Sequence, residues 1–323
     1  MAGSLADRIL AGDVRAASRL MRDIDDGRPS AVRTLQALFP HTGKAYVLGV
    51  TGAPGAGKST LTDRLIAAFR QAGKTVGVLA VDPTSPFTGG AILGDRIRMQ
   101  EHATDPGVFI RSLATRGHLG GLSRATGDCI RVMDAMGREV VLVETVGVGQ
   151  DEIDIAQMAH TTLVLLVPGM GDDVQAIKAG ILEIADVFVV NKADLSGADR
   201  TVRELSGMLE LRHAVRSPSP EGDFGWEPPI LKVVATKNQG VADLVAAIDA
   251  HRAHLESSGE GRRREQSRAA MQFVTLLRER LLQSALARLE KEKGRLAEVA
   301  ARIAERQADP YALADELASQ LAQ

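Results

Sequence analysis

The chain has 323 residues, 45% of them hydrophobic and 25% charged, with a formal net charge of −2. That is enough sequence for one large core with smaller helical additions, and its near-neutral balance gives no electrostatic case for nucleic acid as a partner. The single cysteine, Cys129, excludes an internal disulfide and a cysteine-built zinc site; it fits a reducing cytoplasmic setting and reads as a small buried apolar side chain.

No window of about eighteen apolar residues occurs, so no membrane association is expected. The N-terminus has no continuous apolar signal core, and Asp7, Asp13, Asp23, Asp25 and Asp26 are acids that a transit peptide would lack. Over residues 1–43, Leu5, Ile9, Leu10, Leu20, Ile24, Leu35 and Leu38 stand among charges, with Gly27-Arg28-Pro29 as a break. This predicts a short helical extension packed on the main domain. From 44 to 255, strand-like apolar runs alternate with helical patterns, the signature of a mostly parallel central sheet covered by helices on both faces.

The first of these runs, Ala45–Val50, leads into Gly52-Ala53-Pro54-Gly55-Ala56-Gly57-Lys58-Ser59, with Thr60 next and a helical pattern beyond. Glycines at this spacing let consecutive backbone N–H groups turn toward phosphates, and the following helix aims its positive end at the same anion. Lys58 would reach the β- and γ-phosphates and the Ser59 hydroxyl would hold Mg²⁺. A glycine-rich turn without function is the plain alternative, but the full spacing between strand and helix argues for a nucleoside triphosphate.

The next run, Thr75–Val81, ends in Asp82-Pro83, and the glycine-containing segment Thr88–Arg98 carries Asp95. Asp82 and Asp95 are candidates for holding Mg²⁺ and ordering the attacking water, since hard cations prefer oxygen ligands. For Asp95 a helix cap or an exposed ion pair is the alternative; Arg96 and Arg98 read as a phosphate or partner contact or as a solvated face. Arg111–Arg124 is basic and glycine-rich and reads as a contact to phosphate, to a nucleotide across a dimer or to a client, or as a loop ending in a helix; its His118 is assigned no metal. Glu139–Glu144 is a buried strand ending in a carboxylate, followed by Thr145-Val146-Gly147. Glu144 thus stands where an acid that holds Mg²⁺ belongs, with Gly147 as the sensor of the γ-phosphate.

Val148 follows that glycine and a glutamine comes only at Gln150. A valine cannot orient water, so Gln150 folds back, Asp82 takes the role, or a partner completes the site. Slow intrinsic hydrolysis, stimulated by that partner, is expected. After the run Thr161–Val167, the loop Pro168–Gly180 holds two acids, Asp172 and Asp173, and Lys178. It reads as a third switch in which Lys178 adds positive charge to the transition state, or as a capped helix with a surface lysine.

The run Asp186–Val190 leads into Asn191-Lys192-Ala193-Asp194. At the carboxyl end of a buried strand this pattern reads guanine. The Asp194 carboxylate has acceptors only and pairs with N1–H and the exocyclic amine of guanine, whereas adenine would face it with a lone pair. GTP and GDP are therefore preferred over adenine nucleotides. Ala235-Thr236-Lys237, after Ile230–Val234, offers a backbone N–H to the guanine oxygen. Residues 212–229, rich in proline and glycine, predict a surface excursion whose Trp226 anchors a partner or pins its own loop.

The stretch Glu256–Glu265 reads as a polar hinge that includes the basic triplet Arg262–Arg264. Beyond it Phe273, Leu276, Leu277, Leu281, Leu282, Leu286 and Leu289 recur at helical spacing, weakening through Ile303 to a stop at Asp309-Pro310, with Leu313, Leu317 and Leu321 in a final short helix. The division expected is thus an N-terminal helical extension at 1–43, an α/β nucleotide-binding domain of the P-loop GTPase type at 44–255, and a C-terminal helical dimerisation region at 256–323. The apolar stripe is covered either by the same chain or by a second copy.

Together, Gly52–Thr60, Val81–Pro86, Gly89–Met99, Glu144–Gln150 and Asn191–Asp194 resemble the MeaB/ArgK family of GTPases, relatives of the metal-insertion GTPases. The resemblance implies a homodimer that protects and loads an adenosylcobalamin-dependent acyl-CoA mutase, typically methylmalonyl-CoA mutase; no motif here reads out cobalamin or coenzyme A. Two other classes stand beside it. A nickel or cobalt metallochaperone would need clustered ligands, against one cysteine and seven scattered histidines. A kinase for an amino-acid transport component would need a second substrate pocket, which no motif supplies.

Overall fold

The computed structural model describes residues 3–82, 100–102, 104–114, 124–145, 151–169, 183–215, 225–291 and 295–321. They fall in two compact units, Met1–Gly259 and Glu260–Gln323. Among the described residues no helix is long and apolar enough to cross a membrane.

The first unit opens with three helices, α1 (Leu5–Leu10), α2 (Val14–Asp25) and α3 (Pro29–Leu38). Each start has a local cause. Ser4 and Asp7 form a reciprocal capping box at α1, Asp13 accepts from the N–H groups of Arg15 and Ala16 at α2, and Pro29 opens α3 with its fixed φ. The apolar faces of these helices, with Ile9, Leu20, Met21 and Leu38, share one core with Val47, Leu79 and Val141 of the sheet. The lead-in is therefore a helical layer of the unit.

Among the described residues the sheet has seven strands: β1 (Tyr46–Gly52), β2 (Val76–Asp82), β3 (Val108–Ala114), β4 (Val140–Thr145), β5 (Thr161–Leu166), β6 (Val187–Val190) and β7 (Ile230–Lys232). Every pairing is parallel, in the order β3-β2-β4-β1-β5-β6-β7. The helices α4 (Lys58–Gln71), α5 (Arg124–Ala135), α6 (Asp151–Met158), α7 (Ala198–Val215) and α8 (Val241–Ser257) cover it. Alternation along each strand sorts the side chains between the two faces. Val141 and Val143 join the α2 and α5 side, while Val140 and Leu142 join Leu61 and Leu65 of α4 and Leu244 of α8. With helices on both faces, the strands read as continuous apolar runs.

Gly49 and Gly77 leave room for two of these helices. A Cβ at Gly49 would lie 2.9 Å from Ile155 Cγ1 of α6, and one at Gly77 would lie 2.6 Å from Met133 Sδ of α5. At the amino ends of β1, β5 and β6 a polar network closes the base of the sheet. The Tyr46 hydroxyl bonds the Thr161 hydroxyl, Thr161 Oγ1 is 2.7 Å from His251 Nδ1, and His251 Nε2 is 3.3 Å from Asp186 Oδ1. The half-buried Trp226 donates its indole N–H to Asp186 O at 2.6 Å and packs its ring 4.7 Å from that of His251. The indole therefore pins its own segment.

Two readings of the sequence change. Arg111–Ala114 is the end of edge strand β3, since Val108, Phe109, Ile110 and Leu113 supply an apolar start that the basic residues mask. The stretch Glu256–Glu265 is helical on both sides of Ser258-Gly259, because Gly259 takes φ 71° and Arg264 pairs with Glu260 one turn back at 2.6 Å. In the excursion, α7 runs on through Val215, and 216–224 lie outside the described residues.

The second unit holds α9 (Glu260–Lys291), α10 (Arg295–Ala304) and α11 (Pro310–Leu321). Pro310 opens α11 at its first position. Phe273, Val274, Leu277, Leu281, Leu282 and Leu286 of α9 are exposed.

Candidate active site

The carboxyl ends of β1, β4 and β6 bring Ser59 beside Glu144 and Ala56 beside Asn191. β1 ends in Gly52 and the chain turns through Ala53, Pro54, Gly55 and Ala56 to Gly57, which begins α4 in the left-handed region at φ 88°. Gly57 is required twice over, since a Cβ there would also lie 2.4 Å from Asn191 Nδ2. Pro54 and Gly55 stand exposed at the tip, whereas Ala56, Lys58 and Ser59 are buried and Thr60 is half-buried. The Lys58 ammonium donates to Gly52 O at 2.7 Å and to Ala53 O at 3.0 Å, so the cation sits against the loop's own backbone.

Parallel register sets the acid beside this loop. β4 runs next to β1 with Val50 opposite Glu144, so the carboxylate emerges where α4 starts. Ser59 Oγ donates to Glu144 Oε1 at 2.5 Å, with both residues buried. One step along, the hydroxyls of Thr51 and Thr145 are 3.0 Å apart and tie the two strand ends together. A hydroxyl and a carboxylate at the mouth of a phosphate loop are the oxygen donors that suit a hard divalent cation. The Asp82 backbone ends β2, two residues past Ala80, which faces Glu144 across the sheet. The Asp82 side chain and all of Asp95, Gly147, Gln150 and Lys178 lie outside the described residues, as do Arg96, Arg98 and His118.

The Asn191–Asp194 turn follows β6. Asn191, 2% exposed, donates from Nδ2 to Ala56 O at 2.8 Å and accepts the Ala235 N–H on Oδ1 at 3.2 Å. One amide thus joins the phosphate loop to the turn after β7. Lys192 adopts φ 54°, and with the Leu195 N–H bonded back to its carbonyl the turn presents Asp194 outward. The Asp194 carboxylate accepts from Lys237 Nζ at 2.8 Å, and that bond holds its pKa below the ordinary aspartate value. The neighbouring turn Ala235–Lys237, with Thr236 at its centre, is tight: Val234 pairs with Gln239 beyond it, so β7 is shorter than its apolar run. The Ala235 N–H is engaged by Asn191, which ties this turn to the phosphate loop.

Reading motifs alone misses Lys237 as a partner of Asp194, and misses Arg64 of α4, whose Nε donates to Ala235 O at 3.2 Å. The signal for Lys237 was its place beside the predicted guanine contact; Arg64 has no motif to mark it.

The comparisons bear on this site. The family profile described as "Methylmalonyl Co-A mutase-associated GTPase MeaB" matches residues 17–290. A protein of Pyrococcus abyssi named as a GTPase is 48% identical over 98% of this chain and 95% of its own length. GTPase ArgK of Escherichia coli is 38% identical over 71% of this chain and 68% of its own, and the mouse mitochondrial methylmalonic aciduria type A homolog is 34% identical over 74% and 56%. Among solved structures, a LAO/AO transport system kinase superposes with a TM-score of 0.70 at 24% identity, over 99% of this chain and 97% of that one. That likeness is one of fold. Guanine-nucleotide binding and hydrolysis follow from the relatives, and the chain belongs to the MeaB family of P-loop GTPases.

Proposed function

We propose that this GTPase serves an adenosylcobalamin-dependent acyl-CoA mutase, methylmalonyl-CoA mutase first among the candidates, by loading and protecting its cofactor. The family description and the name of the mouse relative support the client. The observation that carries the chemistry is Asn191, whose amide joins the phosphate-binding loop at Ala56 to the turn at Ala235, so that triphosphate and base are addressed by one connected site.

In this reading the loop Gly52–Thr60 wraps the phosphates with its backbone N–H groups, all but that of Pro54, which has none, Lys58 exchanges a loop carbonyl for a phosphate oxygen, and Asp194 reads the purine edge. Ser59 and Glu144 would hold Mg²⁺, with Asp82 and Asp95 as further acids; the ion, when bound, neutralises charge on the β- and γ-phosphates. Gly147 senses the γ-phosphate and Lys178 adds charge to the transition state. The buried strand ends keep this frame fixed, so catalysis is positioning plus charge stabilisation.

Hydrolysis by the chain alone is slow, since Val148 stands where a water-orienting glutamine would serve. A homodimer is proposed on the exposed apolar face of α9, because a contiguous face of that kind is stable once a second copy covers it. The test is phosphate release with and without purified mutase, alongside size-exclusion chromatography. Slow turnover that rises on adding mutase, with co-elution in the presence of a GTP analogue, is the expected result. Full multiple turnover by the chain alone, unchanged by mutase, overturns it. Transfer of labelled γ-phosphate to a protein or small molecule would instead favour a kinase.

A further inference from the structure

The turn that follows β7 is held to the phosphate side of the site by two side chains. Asn191 holds it through the Ala235 N–H, and Arg64 holds it through the Ala235 carbonyl. Arg64 lies on α4 one turn beyond Thr60 and on the same face, since residues four apart stack along a helix. Its carbonyl partner also accepts the Asn238 N–H at 3.2 Å, so the two donors account for both lone pairs of Ala235 O.

The contacts close a circuit. Arg64 reaches Ala235, Ala235 reaches Asn191, Asn191 reaches Ala56, and Ala56 leads through Gly57 back into α4, the helix that carries Arg64. The circuit extends to the base-reading acid, because Lys237 of the same turn donates to Asp194 at 2.8 Å. Moving the turn by a fraction of an ångström therefore moves Lys237, and with it the rotamer of Asp194. A guanidinium donating to a carbonyl is a charge-assisted bond and outlasts a neutral one where it is half shielded from water.

We propose that Arg64 is a positioning residue for guanine recognition: from the phosphate-side helix it fixes the Ala235–Lys237 turn, and through Lys237 the Asp194 carboxylate, before the base arrives. The inference rests on the assignment of Asp194 as the guanine contact. It separates Arg64 from Lys58 and Ser59 on the same helix, which act on the phosphates. Losing Arg64 should therefore weaken what depends on the base and leave what depends on the phosphates.

The test uses the full-length chain with Arg64→Met and Arg64→Lys, titrated with GDP, ADP and inorganic tripolyphosphate, the last as competitor. The Met variant should bind GDP about tenfold more weakly, the size of effect expected for one lost charge-assisted bond. Its GDP-to-ADP preference should narrow by the same factor while the tripolyphosphate constant stays put. The Lys variant, which can still donate to Ala235 O, should recover most of the loss. Equal weakening of GDP and tripolyphosphate, or unaltered GDP binding in the Met variant, overturns the proposal. Failure of the unmodified chain to prefer GDP over ADP would instead overturn the assignment of Asp194.

Discussion

Ser59 Oγ and Glu144 Oε1 lie 2.5 Å apart where the first turn of α4 meets the end of β4. Glu144→Gln keeps the acceptor and the volume and removes one negative charge, so the strand pairing survives while a divalent cation loses its anionic ligand. GTP hydrolysis in magnesium should fall by about a hundredfold or more, as for other groups that stabilise developing charge. GDP binding in the presence of a chelator should hardly change. Phosphate release from the variant at the unmodified rate would remove Glu144 from the metal site.

Asp194→Asn exchanges an acceptor for a donor at the purine edge. GDP affinity should fall by roughly two powers of ten or more, because one of the two guanine donors, N1–H or the exocyclic amine, then faces an N–H. Xanthosine diphosphate, with a carbonyl in place of that amine, should gain. The Lys237 ammonium beside Asp194 keeps the carboxyl ionised to lower pH than an ordinary aspartate, so GDP binding should persist as the medium is acidified. In Lys237→Met the depression is lost, and the acid limb of a GDP titration should shift to higher pH.

Much of this arrangement was legible in the residues, and the reasons differ by place. Buried parallel strands write themselves as apolar runs, so Tyr46–Gly52, Val140–Thr145 and Val187–Val190 stand out, and the loops that follow them carry spacings that few other structures use. β3 did not stand out because Arg111 and Ser112 interrupt it at the sheet edge, where one side of the strand has no neighbour among the described residues. The Glu256–Glu265 hinge looked longer than it is because charge and glycine suggest a loop, whereas Arg264 and Glu260 pair along a helix. Lys237 and Arg64 stayed hidden for a further reason. Their roles arise from tertiary proximity to Asp194 and Ala235, residues 43 and 171 positions away, and no local pattern encodes such a pair.

The base of the sheet offers a spectroscopic check on packing. Burial pushes the Tyr46 phenol up to about 12, with its hydroxyl against Thr161 and the Asp186 charge nearby. An unperturbed phenol titrates near 10, so the folded chain holds this proton more tightly than the unfolded chain does. Stability from this group is whole below about pH 10 and drains away as pH rises toward 12. Ultraviolet titration should find one of the two tyrosines ionising late. Tyr46→Phe should remove that late phase and cost about 1 kcal/mol for the lost hydrogen bond. A Tyr46 that ionises in step with free tyrosine would show that water reaches the network.

Gly55 and Gly57 separate backbone strain from crowding within one loop. Both take positive φ, 77° and 88°, so an alanine at either costs about 1–2 kcal/mol of conformational strain. At Gly55 an added Cβ has nothing within 4 Å, whereas at Gly57 it meets Asn191 Nδ2 at 2.4 Å. Gly57→Ala must therefore push Asn191 off Ala56 O, and it should weaken GDP and tripolyphosphate together by well over the tenfold that strain alone explains. Gly55→Ala should show only the strain, seen as a lowered thermal midpoint with a modest change in affinity. Equal losses in the two variants would mean that the Asn191–Ala56 bond contributes nothing to holding the loop in its binding shape.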